Sequence, residues 1–246
     1  MRYTFESETQ IFEGYCKIKC QGNSSRAYEK KNYTIETFTD SECTQKAKFQ
    51  FRNWKSRNKF CYKANWVDFT HARNIVCARL WGEMLETRSN YKSLPTELKT
   101  APNHGATDGF FVKMYVNGVY YGRYTLNIPK DGWMANLDAN NENHAMIMSN
   151  SCKRSGIFRG EALFAGLDWI DELHATVPEN IKTRWNEVIR FVNEASDEEF
   201  RENIDSYIDL QSIIDYDVFG VILCGLDSFG KNQMFITYDG DNWCTK

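Results

Sequence analysis

The sequence predicts an α+β protein with a β-rich first half and a mainly helical second half. Three observations predict it. Two β-rich runs flank Asn117-Gly118, a dipeptide that accepts the positive φ angles of a tight hairpin turn. Apolar residues recur at intervals of three and four from Ala72 to Leu85, the period of an amphipathic helix. Residues 131–165 are rich in Asn, Asp, Gly and Ser, and helix-like stretches dominate beyond them. With 246 residues and 42% hydrophobic content, the chain has material for a sizeable core, as one large domain or two small lobes.

The elements follow in order. Tyr15 to Cys20 alternates as a strand does, GNSSR is a turn, and Tyr33-Thr34-Ile35 resumes the strand, so a hairpin is expected. Lys59 to Asn65 forms another strand. From Phe69 the period changes, and Ala72, Ile75, Val76, Leu80, Met84 and Leu85 mark a helix to about Glu86. Residues 88–108 are polar, carry Pro95 and Pro102, and read as a connection. The hairpin Phe110–Val116 and Val119–Leu126 follows, then the irregular stretch 131–165. Helices are expected over Glu179–Glu194, after Ser196-Asp197-Glu198-Glu199, and from Leu210 to about Gly225. The Ser-x-x-Glu spacing lets serine cap the amide three residues on while the glutamate reaches back. A strand-like segment follows Asn232, and no internal repeat or low-complexity tract is present.

Composition removes several function classes. The 33 acidic and 30 basic residues are spread along the chain, so no field is built for nucleic-acid phosphates, and no nucleic-acid partner is expected. No stretch approaches the roughly 20 apolar residues that span a bilayer. The start, MRYTFESETQIFEGY, lacks an apolar core followed by small residues, so a soluble, unexported protein is expected. Eight cysteines include no Cys-x-x-Cys pair, and the even spacing of Cys16 and Cys20 puts both on one strand face. Free buried thiols in a reducing compartment are expected, with disulfides or metal as the alternative. The sequons at Asn23 and Asn32 read as chance. The histidines at 71, 104, 144 and 174 have no metal-ligand spacing, and Gly-x-Ser-x-Gly, Walker and dinucleotide-binding motifs are absent.

Phosphoryl transfer needs a turn near the phosphates, a cation on their oxygens, ligands for Mg²⁺ and a carboxylate at the acceptor hydroxyl. Gly22-Asn23-Ser24-Ser25-Arg26 offers such a turn, although a plain hairpin gives the same residues, and Lys30-Lys31 follow it. Lys63 ends a strand and Glu83 lies twenty residues on in a helix, an interval comparable to the lysine–glutamate pair of eukaryotic-type kinases. A solvent-facing Lys63 and a surface Glu83 are the alternative. In LDSFGKNQMFITYDGDNW, Asp227 and Asn232 have the spacing of a kinase catalytic loop, but no His-Arg precedes Asp227.

Taken together, these segments resemble the CotH kinase family, the spore-coat-type atypical protein kinases. CQGNSSRAYEKKNYTI is similar to its Arg-Gly-Asn-Ser-Ser/Thr turn and Lys-Lys-x-Tyr-x-Ile. YKANWVDFTHARN is similar to its Leu-Lys-Ala-Asn-x-x-Asp-x-x-x-x-Arg-Asn segment. VKMYVNGVYYGRYTL is similar to its Tyr-x-Asn-Gly-x-Tyr-x-Gly-x-Tyr hairpin, and IDSYIDLQSIIDYDVF with the loop above to its helix and catalytic loop.

The resemblance implies a single kinase-like domain over 1–246, with a β-rich nucleotide lobe at 1–130 and a helical catalytic lobe at 131–246. It implies ATP- and Mg²⁺-dependent phosphorylation of Ser or Thr in a protein, such as a spore-coat protein, in a cytoplasmic or spore-associated setting. Asp227 would be the catalytic aspartate and Asn232 a metal ligand. Gly22, Asn23, Ser24 and Ser25 would lie over the phosphates. Lys31 and Lys63 both stay candidates for the ATP lysine, with Glu83 as the helix glutamate. Two departures stand out. Asn127 occupies a position where the family has a glutamate. The family's Pro-x-Asp-x-Asp metal segment lies beyond the tryptophan matching Trp243, while this chain ends at Lys246. Asp239 and Asp241 are either turn residues or substitutes for that aspartate. A fragment of a longer protein is the expectation, with an inactive pseudokinase or surface-attachment module as the alternative.

Overall fold

A computed structural model describes residues 1–149, 170–225, 228–229 and 232–246. The chain divides into two compact units, Met1–Met84 with Ala106–Pro129, and Leu85–Gly105 with Lys130–Lys246. Strands and helices together make an α+β protein.

The first unit is built on an antiparallel sheet of six strands. These are β1 (Arg2–Glu6), β2 (Ile11–Gln21), β3 (Asn32–Phe38), β4 (Lys59–Lys63), β5 (Gly109–Val116) and β6 (Val119–Asn127), in the order β1-β2-β3-β4-β6-β5. The expected hairpin at Asn117-Gly118 is present, with φ of 51° and 79° at the two turn residues. Strand β2 starts four residues before the expected Tyr15, because β1 pairs with it from Arg2↔Tyr15 to Glu6↔Ile11. β1 itself was not expected. Its alternate residues Tyr3 and Phe5 join an aromatic cluster with Phe12, Phe49, Phe51 and Phe60, a tertiary contact that five residues do not announce.

Trp54 closes that cluster against Phe110, and its indole N–H donates to Asp108 Oδ2 at 2.8 Å. Asp108 also pairs with Arg79 at 3.0 Å, so the buried carboxylate is hydrogen-bonded and charge-paired together. Arg79 lies on α1 (Arg73–Glu86). The turn before this helix is set by Asp68, whose carboxylate accepts from the amides of Thr70 and Arg73 at 3.0 and 2.9 Å. Asn65, at φ 47°, donates to Thr125 Oγ1 at 3.1 Å and accepts from Asn74 at 3.2 Å. The ANWVDFTHARN segment is thereby a turn tied to β6 by side-chain amides.

The second unit carries a sheet in the order β10-β9-β7-β8, from β7 (Ala145–Ser149), β8 (Ile170–Glu172), β9 (Met234–Thr237) and β10 (Cys244–Thr245). Its helices are α2 (Thr96–Thr100), α3 (Glu179–Glu194), α4 (Asp197–Asn203) and α5 (Leu210–Ile222). Helix α3 turns Ile181, Trp185, Val188 and Ile189 onto one face, where they pack with Ile147, Phe235 and Trp243. The Trp185 ring lies 5.2 Å from Phe235 and 5.0 Å from Trp243. Removing a fully buried Trp of this kind costs about 3–5 kcal/mol.

The Ser196 capping box forms as its spacing predicts, with Glu199 N donating to Ser196 Oγ and Ser196 N donating to Glu199 Oε2. Helix α5 stops at Ile222 rather than near Gly225. Cys224 takes φ 53° and Gly225 N donates to Gly220 O, a left-handed cap that closes the helix one turn early. The expected connection at 88–108 contains α2 and two 3-10 turns, and the expected irregular stretch from 131 contains a 3-10 turn and β7. Ala145, Met146 and Ile147 of β7 are all buried, so this central strand carries a continuous apolar run and no alternation to read. The rest of that stretch, from 150, lies outside the described residues.

The Arg88 charge is deeply buried in this unit. The Arg88 side chain, 4% exposed, pairs with Asp215 at 2.6 Å and Asp209 at 3.6 Å, and Asp209 also caps α5 through Ser212 N. The seven described cysteines are free, and burial pushes the thiols of Cys16 and Cys244 upward, which keeps them protonated and unreactive. Among the described residues no helix is long and apolar enough to cross a membrane.

Candidate functional site

Within the first unit, the Gly22 turn, Asn32 and Lys63 form one connected polar patch. Gly22 has φ 105°, and a Cβ there would meet Ser25 Oγ, so the turn requires glycine. Ser24–Ala27 forms a 3-10 turn. Asn32 donates to Ser25 Oγ at 3.3 Å and accepts from Ala64 N at 2.7 Å, which ties the turn to the end of β4. Lys63 Nζ donates to Gln21 Oε1 at 2.8 Å, beside Gly22. Asn23 and Ser24 are exposed. Strand register puts Lys63, Thr125, Cys61 and Asn127 on one face of the sheet. Burial lowers the Lys63 ammonium below the ordinary lysine value.

The structure does not bring Lys63 and Glu83 together. Lys63 is held by Gln21, and Glu83 is exposed on α1. Lys31 folds back onto its own turn, donating to Arg26 O at 2.7 Å and to Tyr28 O. Lys30 is the residue of the Lys-Lys pair that enters the sheet. Its ammonium stands 4.4 Å from the Tyr124 ring centroid and donates to Ala64 O at 3.2 Å, and burial lowers its pKa. Tyr124 points to the face opposite Lys63, so the two ammonium groups serve different surfaces. Asn127, at the position where a glutamate was expected, is 8% exposed, and its Oδ1 has no hydrogen-bond partner. Gly109 opposite leaves it room, since a Cβ there would come within 2.7 Å of the Asn127 side chain.

In the second unit, Asp227 lies outside the described residues, but Ser228 and Phe229, which follow it, are placed. Tyr216 of α5 donates its hydroxyl to Ser228 O at 2.9 Å, and Ser228 N donates to Gly225 O at 2.8 Å. The Phe229 ring lies against Gly220, where a Cβ would come within 2.4 Å of it. Tyr216 and Gly220 are four residues apart on one helix face, so α5 holds the loop at two successive points. Asn232 takes φ 65° and its Oδ1 accepts from Lys130 Nζ at 2.9 Å, with Met148 Sδ 3.7 Å from the same ammonium. Gln233 then donates to Thr245 Oγ1 at 3.3 Å and β9 begins.

Asp239 is a turn residue. Its Oδ1 accepts from Thr237 Oγ1 and from the amides of Asp241 and Asn242, at the end of the β9–β10 hairpin away from Asn232. A cavity of about 590 Å³ in this unit, lined by Asn90, Asp209, Tyr238, Asp239 and Asn242 among others, does not include Asn232.

A family model described as CotH kinase protein matches residues 18–245, nearly the whole chain. The chain belongs to the CotH kinase family. No curated protein matches it. The CotH match runs from β2 to β10 and takes in both the Gly22 turn and the loop ahead of Asn232. Family membership makes a kinase-type enzyme the expected class, with ATP and Mg²⁺ as the expected cofactors.

The described donors do not form a magnesium cage. No group of three or more His, Cys, Asp or Glu side chains among the described residues is placed to hold a metal ion. Asn232, expected as a metal ligand, has an ammonium on its amide oxygen, whereas Mg²⁺ takes carboxylate oxygens as well as water. Sequence reasoning missed Lys130, Tyr216 and Gly220. Only Gly220 carried a signal, since a glycine inside a helix often marks a close approach.

Proposed function

We propose that the chain transfers the γ-phosphoryl group of ATP to a serine or threonine hydroxyl of a protein substrate. The observation that supports this best is the clamped loop. Ser228 and Phe229, the two residues directly after Asp227 in the chain, are fixed by Tyr216 and Gly220 of α5. Phosphoryl transfer depends on that kind of positioning, because the protein contributes orientation and charge stabilisation in place of covalent chemistry.

In this reading Asp227 orients the acceptor hydroxyl and takes its proton. The hydroxyl oxygen forms the new bond to the γ-phosphorus as the bond to the β–γ bridging oxygen breaks, and ADP leaves with the electron pair. The amides of the Gly22–Ser25 turn and the Lys63 ammonium, with Lys31 at the turn's edge, neutralise phosphate oxygens. Mg²⁺, when bound, supplies further positive charge on those oxygens. The two units act as the nucleotide lobe and the catalytic lobe of one kinase-like domain. A spore-coat protein is the substrate that the family link favours, with spore-associated action.

The test is label transfer from γ-labelled ATP to a serine-rich basic protein. Asp227→Ala is expected to abolish transfer while ATP binding by calorimetry stays within about threefold. Unaltered turnover in that variant sinks the assignment. One observation favours a second reading, a pseudokinase or binding module. Glu83 is exposed and Lys63 pairs with Gln21, so the ion pair that active kinases assemble is not made. Transfer by the unaltered chain refutes that second reading.

A further inference from the structure

We infer that the outer edge of β5 is a docking surface for an extended acidic segment of a partner protein, which adds to the six-stranded sheet as a further strand. The surface lies wholly in the first unit and does not depend on the phosphoryl transfer proposed above.

The register fixes which groups of β5 face outward. β5 stands last in the sheet order, next to β6. Ile128 N donates to Asp108 O at 3.0 Å, just ahead of the Gly109↔Asn127 pair, so residues 108 and 128 form a hydrogen-bonded pair. Bonded and non-bonded pairs alternate in an antiparallel ladder, which makes Phe111↔Thr125 and Lys113↔Arg123 non-bonded pairs. The main-chain N–H and C=O of Phe111 and Lys113 therefore point away from β6, and no described residue bonds to them. At Gly109, in the same phase, these groups are taken by Asp108 Oδ1 and Arg79, so the open edge begins beyond it.

Charge selects the partner. Residues 109–127 carry Lys113 and Arg123 as their only charges, and the register sets the two directly opposite one another on an exposed face. Like charges so placed repel. Neither has an ion-pair partner among the described residues, and Arg123 lies instead over the Phe111 ring, 4.2 Å from its centroid. Asp108, just ahead of the strand, is already committed to Arg79. A segment whose carboxylates alternate with aliphatic side chains fits this edge on both faces, with acids toward Lys113 and Arg123 and aliphatics beside the half-buried Val112 and Met114. A second copy of β5 is disfavoured, because symmetric pairing of two such edges sets lysines side by side. The opposite edge of the sheet, β1, carries both Arg2 and Glu6 and selects neither sign.

The test is fluorescence anisotropy of two capped, labelled heptapeptides, alternating Glu-Val and alternating Lys-Val, titrated with the chain. The Glu-Val peptide is expected to bind, more weakly as salt rises, and the Lys-Val peptide is not. Lys113→Glu is expected to weaken Glu-Val binding about tenfold or more. Its melting temperature should equal or exceed that of the unaltered chain, because a like-charge pair has become an opposite one. Lys113→Arg keeps the binding. Phe111→Pro removes one outward N–H and no ladder bond, a change an edge strand accepts. It is expected to bind severalfold more weakly than Phe111→Ala, which loses the ring alone. No binding of the Glu-Val peptide by the unaltered chain overturns the inference, as does equal binding of the two peptides or equal binding by Lys113→Glu. Equal binding by Phe111→Pro and Phe111→Ala shows contact through charge without an added strand, and overturns it too. Binding of phosphatidylserine vesicles in place of the peptide assigns the patch to a membrane surface, and self-association lost in Phe111→Pro assigns the edge to a second copy; either result overturns the inference.

Discussion

The turn at Gly22 and the loop ending at Asn232 are candidate halves of the same chemistry, yet they are held in opposite ways. The Gly22 turn depends mostly on nearby chain: a positive φ at Gly22, the Ser24–Ala27 turn, Lys31 folded back onto Arg26 O, and one tie to Asn32. Ser228, Phe229 and Asn232, the described residues of the other loop, are held largely from outside, by Tyr216, Gly220 and Lys130. A self-contained turn can adjust to what it meets, whereas residues clamped from outside keep their register. Phosphate binding tolerates the first arrangement, and proton abstraction needs the second.

The sharpest way to break this comparison is Gly220→Ala. The added Cβ would meet the Phe229 ring, so the loop must move, while alanine's better helix propensity, worth about 1 kcal/mol, offsets the strain in stability. Transfer is expected to fall about a hundredfold, as for a misplacement near 1 Å, with a melting temperature within a few degrees of the unaltered chain. An unchanged rate shows that the clamp does not set the aspartate. A smaller effect is expected from Gly22→Ala, which forces a side chain into φ 105° at a local cost of about 1–2 kcal/mol. Steady-state kinetics should show KM for ATP rising about tenfold with kcat nearly unchanged, the mark of lost ground-state binding. A fall in kcat alone would show that this turn, too, is positional. Tyr216→Phe is the mildest, removing the hydroxyl that donates to Ser228 O, with an expected loss of about 1 kcal/mol in denaturant unfolding and a severalfold lower rate. A loss as large as that of Gly220→Ala would move the clamp from the Phe229 contact to the tyrosine.

The same contrast explains what the sequence made legible. The Asn117-Gly118 hairpin, helix α3 and the Ser196 box are specified by residues close in the chain, and each forms where its pattern lies. Strand β1 was hidden because its partners Phe49 and Phe51 are far along the chain, and β7 because a strand buried on both faces shows no alternation. Of the candidate site residues, the places of Gly22 in a turn and Lys63 at a strand end were legible from the sequence. The exchange of Glu83 for Gln21 as the partner of Lys63 was not, since which polar side chain reaches an ammonium depends on sheet register. Lys130 was invisible for the same reason: nothing in PKDGW states that its side chain meets a residue 102 positions later.

The division of the chain has a consequence for how it is made. Strand β4 pairs on one side with β3 and on the other with β6, yet Leu85–Gly105, which lies between them in sequence, belongs to the other unit. During synthesis β4 therefore leaves the ribosome with Phe60, Cys61 and Tyr62 on an open edge and keeps it until the β5–β6 hairpin has emerged. Unpaired apolar edges recruit other chains. Cutting the gene after α1 would make that interval permanent, so a separately expressed first unit needs residues 106–129 joined back to it to stay in solution.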